Sequence, residues 1–399
     1  MLSFSHELKY IFEELTGVEK QKQIDILSNL IAIQSVNNHE DQVADYISSL
    51  FEPYKSQGVK IERVTYAPHR DSLVVTIGKG EKVLGLSGHE DVVDAGDRQA
   101  WNSDPFKATI KDGKLYGRGA TDMKSGLAAL IVAMIDMLES DSVPGKIKLF
   151  ATVGEETGEY GAAQLTKEGY VDGISGMLIA EPGNEMSEVG FTSKGVIDYI
   201  ITSIGKGAHS SQPEKGINAI DHLIDFANEV KPLMAQFNKV DPVLGKLTHV
   251  QSLFNGGEQI NSVPAKAVIK GNIRTIPEYP NKVVFDALNN LVGKLNQKEG
   301  YELSIRYSFP EEAMPGDANS PFIKLIKKVH DQMYDEPLVA NGQSGASDGS
   351  EFLHAKGDFS IALLGPGNGT AHQSNEYVDV AVYHKSVEFY KQFASAFFE

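Results

Sequence analysis

The sequence predicts an α/β protein that carries a second, inserted α+β domain, and three observations lead to that prediction. The chain has 399 residues, more than one hydrophobic core usually serves, so two domains are expected. In the first half, strand-like apolar runs alternate with helical patterns, and several runs end in polar segments. After about Lys194 the pattern changes to alternating strands and amphipathic helices.

The first half begins with apolar residues at helical spacing. This spacing predicts two amphipathic helices within residues 18–52, joined by the turn-like segment SVNNHE. A long apolar stretch at 126–138 predicts a buried helix. Four strand-like runs are expected around it: 72–77, 83–86, 147–153 and 177–180. In an open sheet of this kind, ligands bind at the carboxyl ends of the strands.

Residues 194–308 predict a compact α+β domain inserted into the first one. GVIDYIITSIGKG alternates as a strand does, and GINAIDHLIDFANEV has helical spacing. A strand at 267–274, a helix at 283–295 and a strand at 302–307 are expected next. The chain then returns to a helix at 321–333 and to loops rich in Gly and Ser. We therefore predict one domain from residues 1–193 and 309–399, and a second from 194–308.

The composition excludes several function classes. A formal net charge of −17 argues against a nucleic-acid partner, because phosphate contacts need clustered Lys and Arg. No apolar stretch approaches the ~18 residues of a membrane span. The N-terminal segment MLSFSHELKYIFEELTG lacks a basic region followed by an apolar run. We expect a cytoplasmic protein with no membrane partner.

The absence of cysteine restricts the possible chemistry. It excludes disulfides, thiolate metal sites and a Cys nucleophile, so any metal must be held by His, Asp or Glu. Eight of the eleven histidines lack acidic partners at ligand spacing and are expected to be surface or helix residues: His6, His39, His69, His222, His249, His330, His354 and His384.

Two polar segments of the first domain are candidates for metal ligation. His89 stands in GHED at the end of an apolar run, two residues before Asp91. A metal-bound imidazole usually donates its other N–H to such a carboxylate. Asp122 stands in GRGATDMKSG before a helix, where the alternative role is a helix N-cap. The same segment fails the phosphate-loop template, because Arg118 and Met123 occupy its two glycine positions.

Three further segments add carboxylates and a histidine. Glu155 and Glu156 are adjacent after an apolar run, and such pairs are usually solvated loop residues. Together they make chemical sense if a metal neutralises one while the other takes a proton from water. Glu181 ends another apolar run, and His372 lies in GPGNGTAHQSNEYV. These residues together predict a metal site at one edge of the sheet.

Eight ordered segments resemble the M20 family of metal-dependent peptidases and amidohydrolases, which includes succinyl-diaminopimelate desuccinylase, acetylornithine deacetylase, aminoacylase and glutamate carboxypeptidase. The segments are SGHEDVV, GRGATDMKSG, TVGEETGEYG, AEPG, GKGAHSSQPEKGINAI, GGEQINSVPAKA, GASDGSEF and GTAHQSNEYV. They fall between about residues 85 and 380. The resemblance implies a zinc-peptidase-like catalytic domain, with a mixed sheet flanked by helices, and an inserted ferredoxin-like dimerisation or lid domain.

The resemblance also implies a dinuclear metal centre and its ligands. Asp122 is expected to bridge two divalent ions, with His89 and Glu181 completing one site and Glu156 and His372 the other. Zinc is the expected metal, and Co²⁺ or Mn²⁺ can substitute.

Further roles follow from the same resemblance. Asp91 is expected to orient His89, and Glu155 to act as the general base toward water. His209 is expected to stabilise the oxyanion from a partner subunit, which implies a homodimer formed through residues 194–308. Asn261 and Arg274 resemble substrate-binding positions.

The resemblance implies hydrolysis of an N-acylated amino acid or a short peptide. Glu181, the chain length and the NEYV segment favour a desuccinylase-like enzyme of lysine biosynthesis over the metallo-dipeptidases and carboxypeptidases. Three departures leave the acyl group open: Ser350 stands where desuccinylases have Arg, Ala346 stands where they have Thr, and a second Arg is missing near Lys194. Arg274 and Lys194 are candidates to compensate.

A serine hydrolase is the rival of another class. Gly345–Gly349 matches G-x-S-x-G, and His372 and Asp379 could complete a triad with Ser347. That motif needs a preceding strand, and NGQSGAS is expected to be too polar to form one. We therefore interpret Gly345 and Ser347 as loop residues that contact substrate. A non-enzymatic binding protein is not favoured, because every expected ligand and the expected base are present.

Overall fold

The computed structural model describes residues 19–399, which form two compact units. The first contains the described residues up to Phe191, together with Gly316–Asn341 and Ser347–Glu399; the second contains Thr192–Pro315 and Gly342–Ala346. The roles predicted for these parts, a catalytic domain and a lid, stay predictions. His6 and the N-terminal segment considered above lie outside the described residues.

The described helices and strands, numbered in chain order, are as follows. The helices are α1 (19–32), α2 (Asp41–Phe51), α3 (Lys124–Glu139), α4 (Glu155–Gly158), α5 (Tyr160–Lys167), α6 (Ala219–Met234), α7 (Asn281–Leu295), α8 (Pro321–Met333), α9 (Gly349–Phe352) and α10 (Val380–Phe398). The strands are β1 (Lys60–Ala67), β2 (Arg70–Ile77), β3 (Val83–His89), β4 (Thr109–Lys111), β5 (Lys114–Tyr116), β6 (Lys146–Thr152), β7 (Gly176–Pro182), β8 (Glu188–Ser193), β9 (Gly195–Ile204), β10 (Val240–Asp241), β11 (Gly245–Lys246), β12 (Thr248–Gly256), β13 (Lys266–Thr275), β14 (Glu302–Glu311), β15 (Val339–Gln343), β16 (Ile361–Gly365) and β17 (Tyr377–Asp379).

The first unit is built on an eight-stranded mixed sheet in the order β1-β2-β6-β3-β7-β16-β8-β15. The central strands β6, β3, β7 and β16 are parallel, whereas β1 and β2 pair antiparallel. Every residue of β3 is buried, as expected for a strand that has helices on both faces of its sheet. Helix α3 approaches β7 closely at Gly126, where an added Cβ would lie 2.1 Å from the carbonyl oxygen of Ala180.

The second unit has a four-stranded antiparallel sheet in the order β12-β13-β9-β14. With α6 and α7 the element order is βαββαβ, the ferredoxin-like arrangement. Its core is apolar and includes Tyr199, Phe226 and Leu288, all fully buried. Strand β12 lies at the edge of this sheet, and most of its residues are exposed.

The predicted fold class is confirmed: a mixed α/β sheet with flanking helices, and a separate α+β unit. One local expectation was wrong, because the NGQ of NGQSGAS belongs to the strand β15. The expectation rested on the apolar composition of buried strands. Strand β15 is the last strand of its sheet and none of its residues is fully buried, so it does not need such composition. In the part of the chain from residue 19 onward, no helix combines the length and apolarity needed to cross a bilayer.

Candidate metal centre

Neighbouring strands of the first unit bring the candidate ligands to one edge of the sheet. Strand β3 ends at His89, which pairs in register with Thr152 at the end of β6. Glu155 and Glu156 follow β6 in the first turn of α4, and Glu181 lies near the end of β7. Because β3 is parallel to both β6 and β7, these three ends meet at the same edge.

Asp122 lies between two imidazoles and does not cap the following helix. The N-cap of α3 is Met123, which makes no side-chain capping bond. The Oδ1 atom of Asp122 is 3.1 Å from His89 Nε2, and its Oδ2 atom is 3.4 Å from His372 Nε2. One carboxylate therefore faces a histidine on each side. This is the arrangement that a ligand shared by two ions requires.

Potential ligand atoms form three overlapping groups, and within each group the atoms lie within 4.8 Å of one another. The groups are His89 with Asp122 and Glu181, Asp122 with Glu156 and His372, and His89 with Glu155 and Glu156. The first two contain the residues expected for the two metal sites, and they share Asp122. The third includes the expected base.

The charges of these groups are suited to divalent cations. Burial, together with the negative charges of Glu181 and Glu156, raises the pKa of Glu155 well above its ordinary value. Burial and nearby carboxylates likewise raise the pKa of Glu181, whose Oε1 is buried without a hydrogen-bond partner among the described residues. Buried carboxylates that repel one another need a positive partner. Oxygen and imidazole nitrogen donors suit zinc.

The two histidines respond to the same charges. Hydrogen bonds to Asp122 and Glu156 raise the pKa of His372 to about 10. Burial would lower the pKa of His89, but Asp122 and nearby carboxylates raise it well above the ordinary value. Burial would raise the pKa of Asp122, but both histidines hold it below its ordinary range. The cluster therefore stabilises positive charge beside its carboxylates.

Asp91 supports the centre in a different way from the one expected. His89 Nδ1 lies 2.8 Å from the backbone carbonyl oxygen of Asp91 and 3.7 Å from its carboxylate. A carbonyl oxygen only accepts, so this bond keeps the proton on Nδ1 and leaves Nε2 facing Asp122. The Asp91 carboxylate instead accepts the backbone N–H groups of Glu155, at 3.1 Å, and Glu156, at 3.2 Å. It thereby anchors the turn that carries both glutamates.

Two buried carboxylates near the centre were not identified from the sequence. Glu376 accepts the backbone N–H groups of Thr121 and Asp122, and its position in NEYV was the available signal. Asp348 lies beside β6, where the hydroxyl of Thr152 donates to its Oδ2 atom at 2.5 Å. Burial raises the pKa of Asp348 to about 7.

The second unit contains the predicted functional residues His209, Asn261, Arg274 and Gly345. His209 is exposed, and its Nδ1 accepts the backbone N–H of Ser211 at 3.1 Å. The backbone carbonyl of Asn261 accepts the N–H of Ser210. Arg274 lies on β13. None of them belongs to the three ligand groups above.

The residues proposed for a serine triad are engaged in other contacts. The hydroxyl of Ser347 accepts the backbone N–H of Gly349 at 3.3 Å. The Asp379 carboxylate caps α10 by accepting the N–H groups of Ala381 and Val382. His372 faces Asp122, as described above. These contacts give the serine-hydrolase interpretation no support.

Solved structures share this fold. An aminopeptidase PepT from Bacillus cereus aligns with a TM-score of 0.75 and 20% identity, over 95% of this chain and 99% of that one. A metallo-carboxypeptidase of family M20 from Sulfolobus solfataricus aligns with a TM-score of 0.75 and 18% identity, over 94% and 99%. A protein from Bacillus subtilis described as a dinuclear metal binding peptidase of that family aligns with a TM-score of 0.68 and 15% identity, over 95% and 98%.

Sequence comparisons give nearer relatives. A probable succinyl-diaminopimelate desuccinylase of Staphylococcus epidermidis is 37% identical over 96% of this chain and all of its own length. A protein of the same name from Staphylococcus aureus is 37% identical over 95% of this chain and 98% of its own. The model of peptidase family M20/M25/M40 matches residues 85–396, which is most of the chain. The chain therefore belongs to the M20 peptidase family, a family of metal-dependent hydrolases.

Proposed function

We propose that this protein is a dinuclear-metal amidohydrolase that removes the acyl group from an N-acylated amino acid, with N-succinyl-diaminopimelate as the first candidate substrate. The observation that carries the proposal is the position of Asp122, whose two oxygens face His89 and His372 at 3.1 and 3.4 Å. Two ligand groups that share one carboxylate fit two ions better than they fit one.

In this proposal each ion has its own pair of ligands besides the shared Asp122. His89 and Glu181 serve one ion, and Glu156 and His372 serve the other. Ions held there would supply Lewis acidity toward the scissile carbonyl and would lower the pKa of the attacking water toward about 7. The all-N/O ligand set favours Zn²⁺, and Co²⁺ or Mn²⁺ are the alternatives.

Glu155 is the proposed general base. Its side chain is 13% exposed and lies beside the ligand groups, with Oε2 4.0 Å from His89 Nε2. Because burial and neighbouring carboxylates raise its pKa, Glu155 can accept a proton from water near neutral pH and return it to the leaving amine. The bond from its backbone N–H to Asp91 fixes the turn on which it stands.

The second unit is proposed to form a homodimer and to supply His209 to the partner's substrate. Strand β12, with the sequence THVQSLFNG, contains no Asp, Glu, Lys or Arg. Its Val250, Leu253 and Phe254 are each about half exposed. An uncharged apolar edge strand in a soluble protein is typically paired or covered, because its free N–H and C=O groups otherwise recruit other chains. A second copy of this chain is the proposed occupant.

An anionic substrate is supported by two cations of the second unit. Burial, and then the positive charge of Arg274, lower the pKa of Lys194. Lys194 immediately precedes β9, and Arg274 pairs with Val196 of that strand. These residues are the proposed replacements for the missing arginines in binding substrate carboxylates. The names of the staphylococcal relatives favour a succinyl group as the acyl group that is removed. The expected location of the protein is the cytoplasm.

A substrate panel tests the acyl-group assignment. Metal-loaded protein is assayed against N-succinyl, N-acetyl and N-formyl amino acids and against dipeptides. We expect the highest kcat/KM with an N-succinyl amino acid. Turnover of dipeptides alone would replace the deacylase assignment with the metallo-dipeptidase or carboxypeptidase alternative. Ser347→Ala distinguishes the proposed metal-dependent hydrolase from a serine hydrolase. If Ser347 only contacts substrate, the variant should change KM more than kcat. If Ser347 were the nucleophile, the variant would lose turnover.

A further inference from the structure

Another group of metal-ligating side chains lies in the first unit and shares no residue with the dinuclear centre. It consists of His39, Asp41 and His69, called the His–Asp–His cluster below. One potential ligand atom of each lies within 4.8 Å of the others. Asp41 Oδ2 is 2.8 Å from His69 Nδ1, and the two imidazole rings are 5.3 Å apart between centroids.

This cluster was not predicted from the sequence. His39 and Asp41 lie at the start of α2, whereas His69 lies in the turn between β1 and β2, 28 residues after Asp41. Both histidines were expected to be surface or helix residues without acidic partners; both are exposed, but the lack of a partner was wrong, because His69 contacts Asp41. The fold brings them together because the β1–β2 turn packs against the beginning of α2, where the Asp41 N–H donates to the His69 carbonyl at 3.3 Å.

A buried ion pair fixes the two segments that carry the cluster. Glu40 lies between His39 and Asp41, and Arg70 directly follows His69. The Arg70 guanidinium donates to Glu40 Oε1 from Nη2 at 2.6 Å and from Nε at 3.0 Å, and Glu40 is fully buried. The ion pair thus joins the two segments that carry the cluster. The three ligands are therefore held near one another by contacts that need no ion, which lowers the entropic cost of binding one.

The Asp41 carboxylate has capacity for a cation. Its Oδ2 atom faces His69, while its Oδ1 atom is buried and has no hydrogen-bond partner among the described residues. A buried acceptor without a partner is unfavourable, and a positive ion beside the carboxylate would compensate it. The histidines are exposed, so an ion can reach the cluster from solvent.

We propose that the His–Asp–His cluster is a third metal site, which binds Zn²⁺ or a similar divalent transition-metal ion. Two imidazole nitrogens and one carboxylate oxygen supply the ligands, and water completes the coordination. This donor set is typical of zinc with three protein ligands, and it discriminates against Ca²⁺ and Mg²⁺, which prefer oxygen. The site joins the β1–β2 turn to α2. The proposal does not depend on the proposed function.

The test counts zinc ions. The purified protein is dialysed against a series of buffered free Zn²⁺ concentrations, and bound zinc is measured per chain. His69→Asn and Asp41→Asn should each bind one ion fewer than the wild type. Loss of outer-shell partners alone weakens metal sites by about 10–100-fold, so loss of a ligand should weaken this site at least tenfold. Asn suits position 69 because the backbone there is left-handed, with φ of 63°.

His354→Asn is the matched control, because His354 is exposed and belongs to no such group in the described chain. It should bind as many ions as the wild type. Equal zinc counts for the wild type and His69→Asn would overturn the proposal, as would an equal loss in His354→Asn.

Hydrogen exchange supplies a second readout that does not depend on activity. Zinc should slow exchange in peptides covering 36–45 and 66–72 of the wild type, and it should not do so in His69→Asn. Identical zinc protection in both proteins would also contradict the site.

Discussion

The Glu376 carboxylate accepts the backbone N–H of Asp122 at 2.9 Å, although 254 residues separate the two in sequence. The same Oε1 atom accepts the N–H of Thr121 at 2.8 Å, and Oε2 accepts from the buried guanidinium of Arg118. The loop that carries the proposed bridging ligand is thus held in place by a residue close to the C-terminus.

Glu376→Gln tests this support. The amide oxygen can still accept the two backbone N–H groups, but Arg118 keeps a buried charge without its counter-charge. Removing one partner of a buried ion pair typically costs about 3–5 kcal/mol. We expect a loss of that size in the free energy of unfolding, measured by urea titration.

Glu388→Gln is the comparison for that measurement. Glu388 is about half exposed and pairs with Lys391 one helical turn away, so its loss should cost under about 1 kcal/mol. Similar losses for the two variants would show that the Glu376 contact contributes no more than a surface pair.

Glu155→Gln separates the base from the ligands. The proposed ligand sets do not include Glu155, so the variant should retain both ions. Loss of a general base typically lowers turnover by about 10²–10⁴-fold, and we expect the fall in kcat to lie in or above this range. Metal content and kcat are measured on the same preparation. Glu168→Gln, at the exposed C-cap of α5, should match the wild type in both. A Glu155→Gln protein that lost metal would reassign Glu155 as a ligand.

His372→Ala tests the division of ligands between the two ions. His372 Nε2 lies 3.1 Å from Glu156 Oε2, so the variant should lose chiefly the ion assigned to Glu156. His89→Ala should lose chiefly the other ion, and Asp122→Asn should weaken both. The zinc affinity of each of the two sites is measured for every variant by competition with a chelator. The shared position of Asp122 would be refuted if Asp122→Asn weakened one affinity and left the other unchanged.

Phe254→Lys tests the proposed dimer. A charge on the β12 edge should prevent strand pairing between two copies of the chain. Sedimentation equilibrium should give a dimer for the wild type and a dissociation constant at least tenfold larger for the variant. Activity should fall with the monomer fraction if His209 acts across subunits.

Val339→Lys is the control for the dimer, since Val339 is an exposed apolar residue of another strand, and it should leave association unchanged. A wild-type monomer with full activity would remove both the dimer and the partner's role for His209.

The sequence predicted the fold where periodicity is strong. The helix expected at 321–333 is found with those bounds, and the strands expected at 83–86 and 177–180 are found with extended ends. Those extensions place His89 and Glu181 within strands. The strand β15 was missed because an edge strand without fully buried residues needs no apolar pattern.

The residues of the candidate centre could be identified from the sequence, but the hydrogen bonds that hold them could not. Strand ends and the family resemblance identified the candidate ligands, since each stands in a short recognisable segment. The bond from Glu376 to Asp122 and the pairing of His39 with His69 depend on distant segments, for which sequence spacing carries no signal. The acceptor for His89 was also misassigned, because His-x-Asp spacing does not distinguish the Asp91 carbonyl from its carboxylate.

The most direct test of the central claim is a zinc titration of chelator-stripped wild-type protein, followed by hydrolysis of N-succinyl-diaminopimelate. The stripped protein should be inactive, and turnover should rise with added zinc to a maximum at two ions per chain. Full turnover by the stripped protein, or no amide hydrolysis after zinc loading, would contradict a dinuclear amidohydrolase.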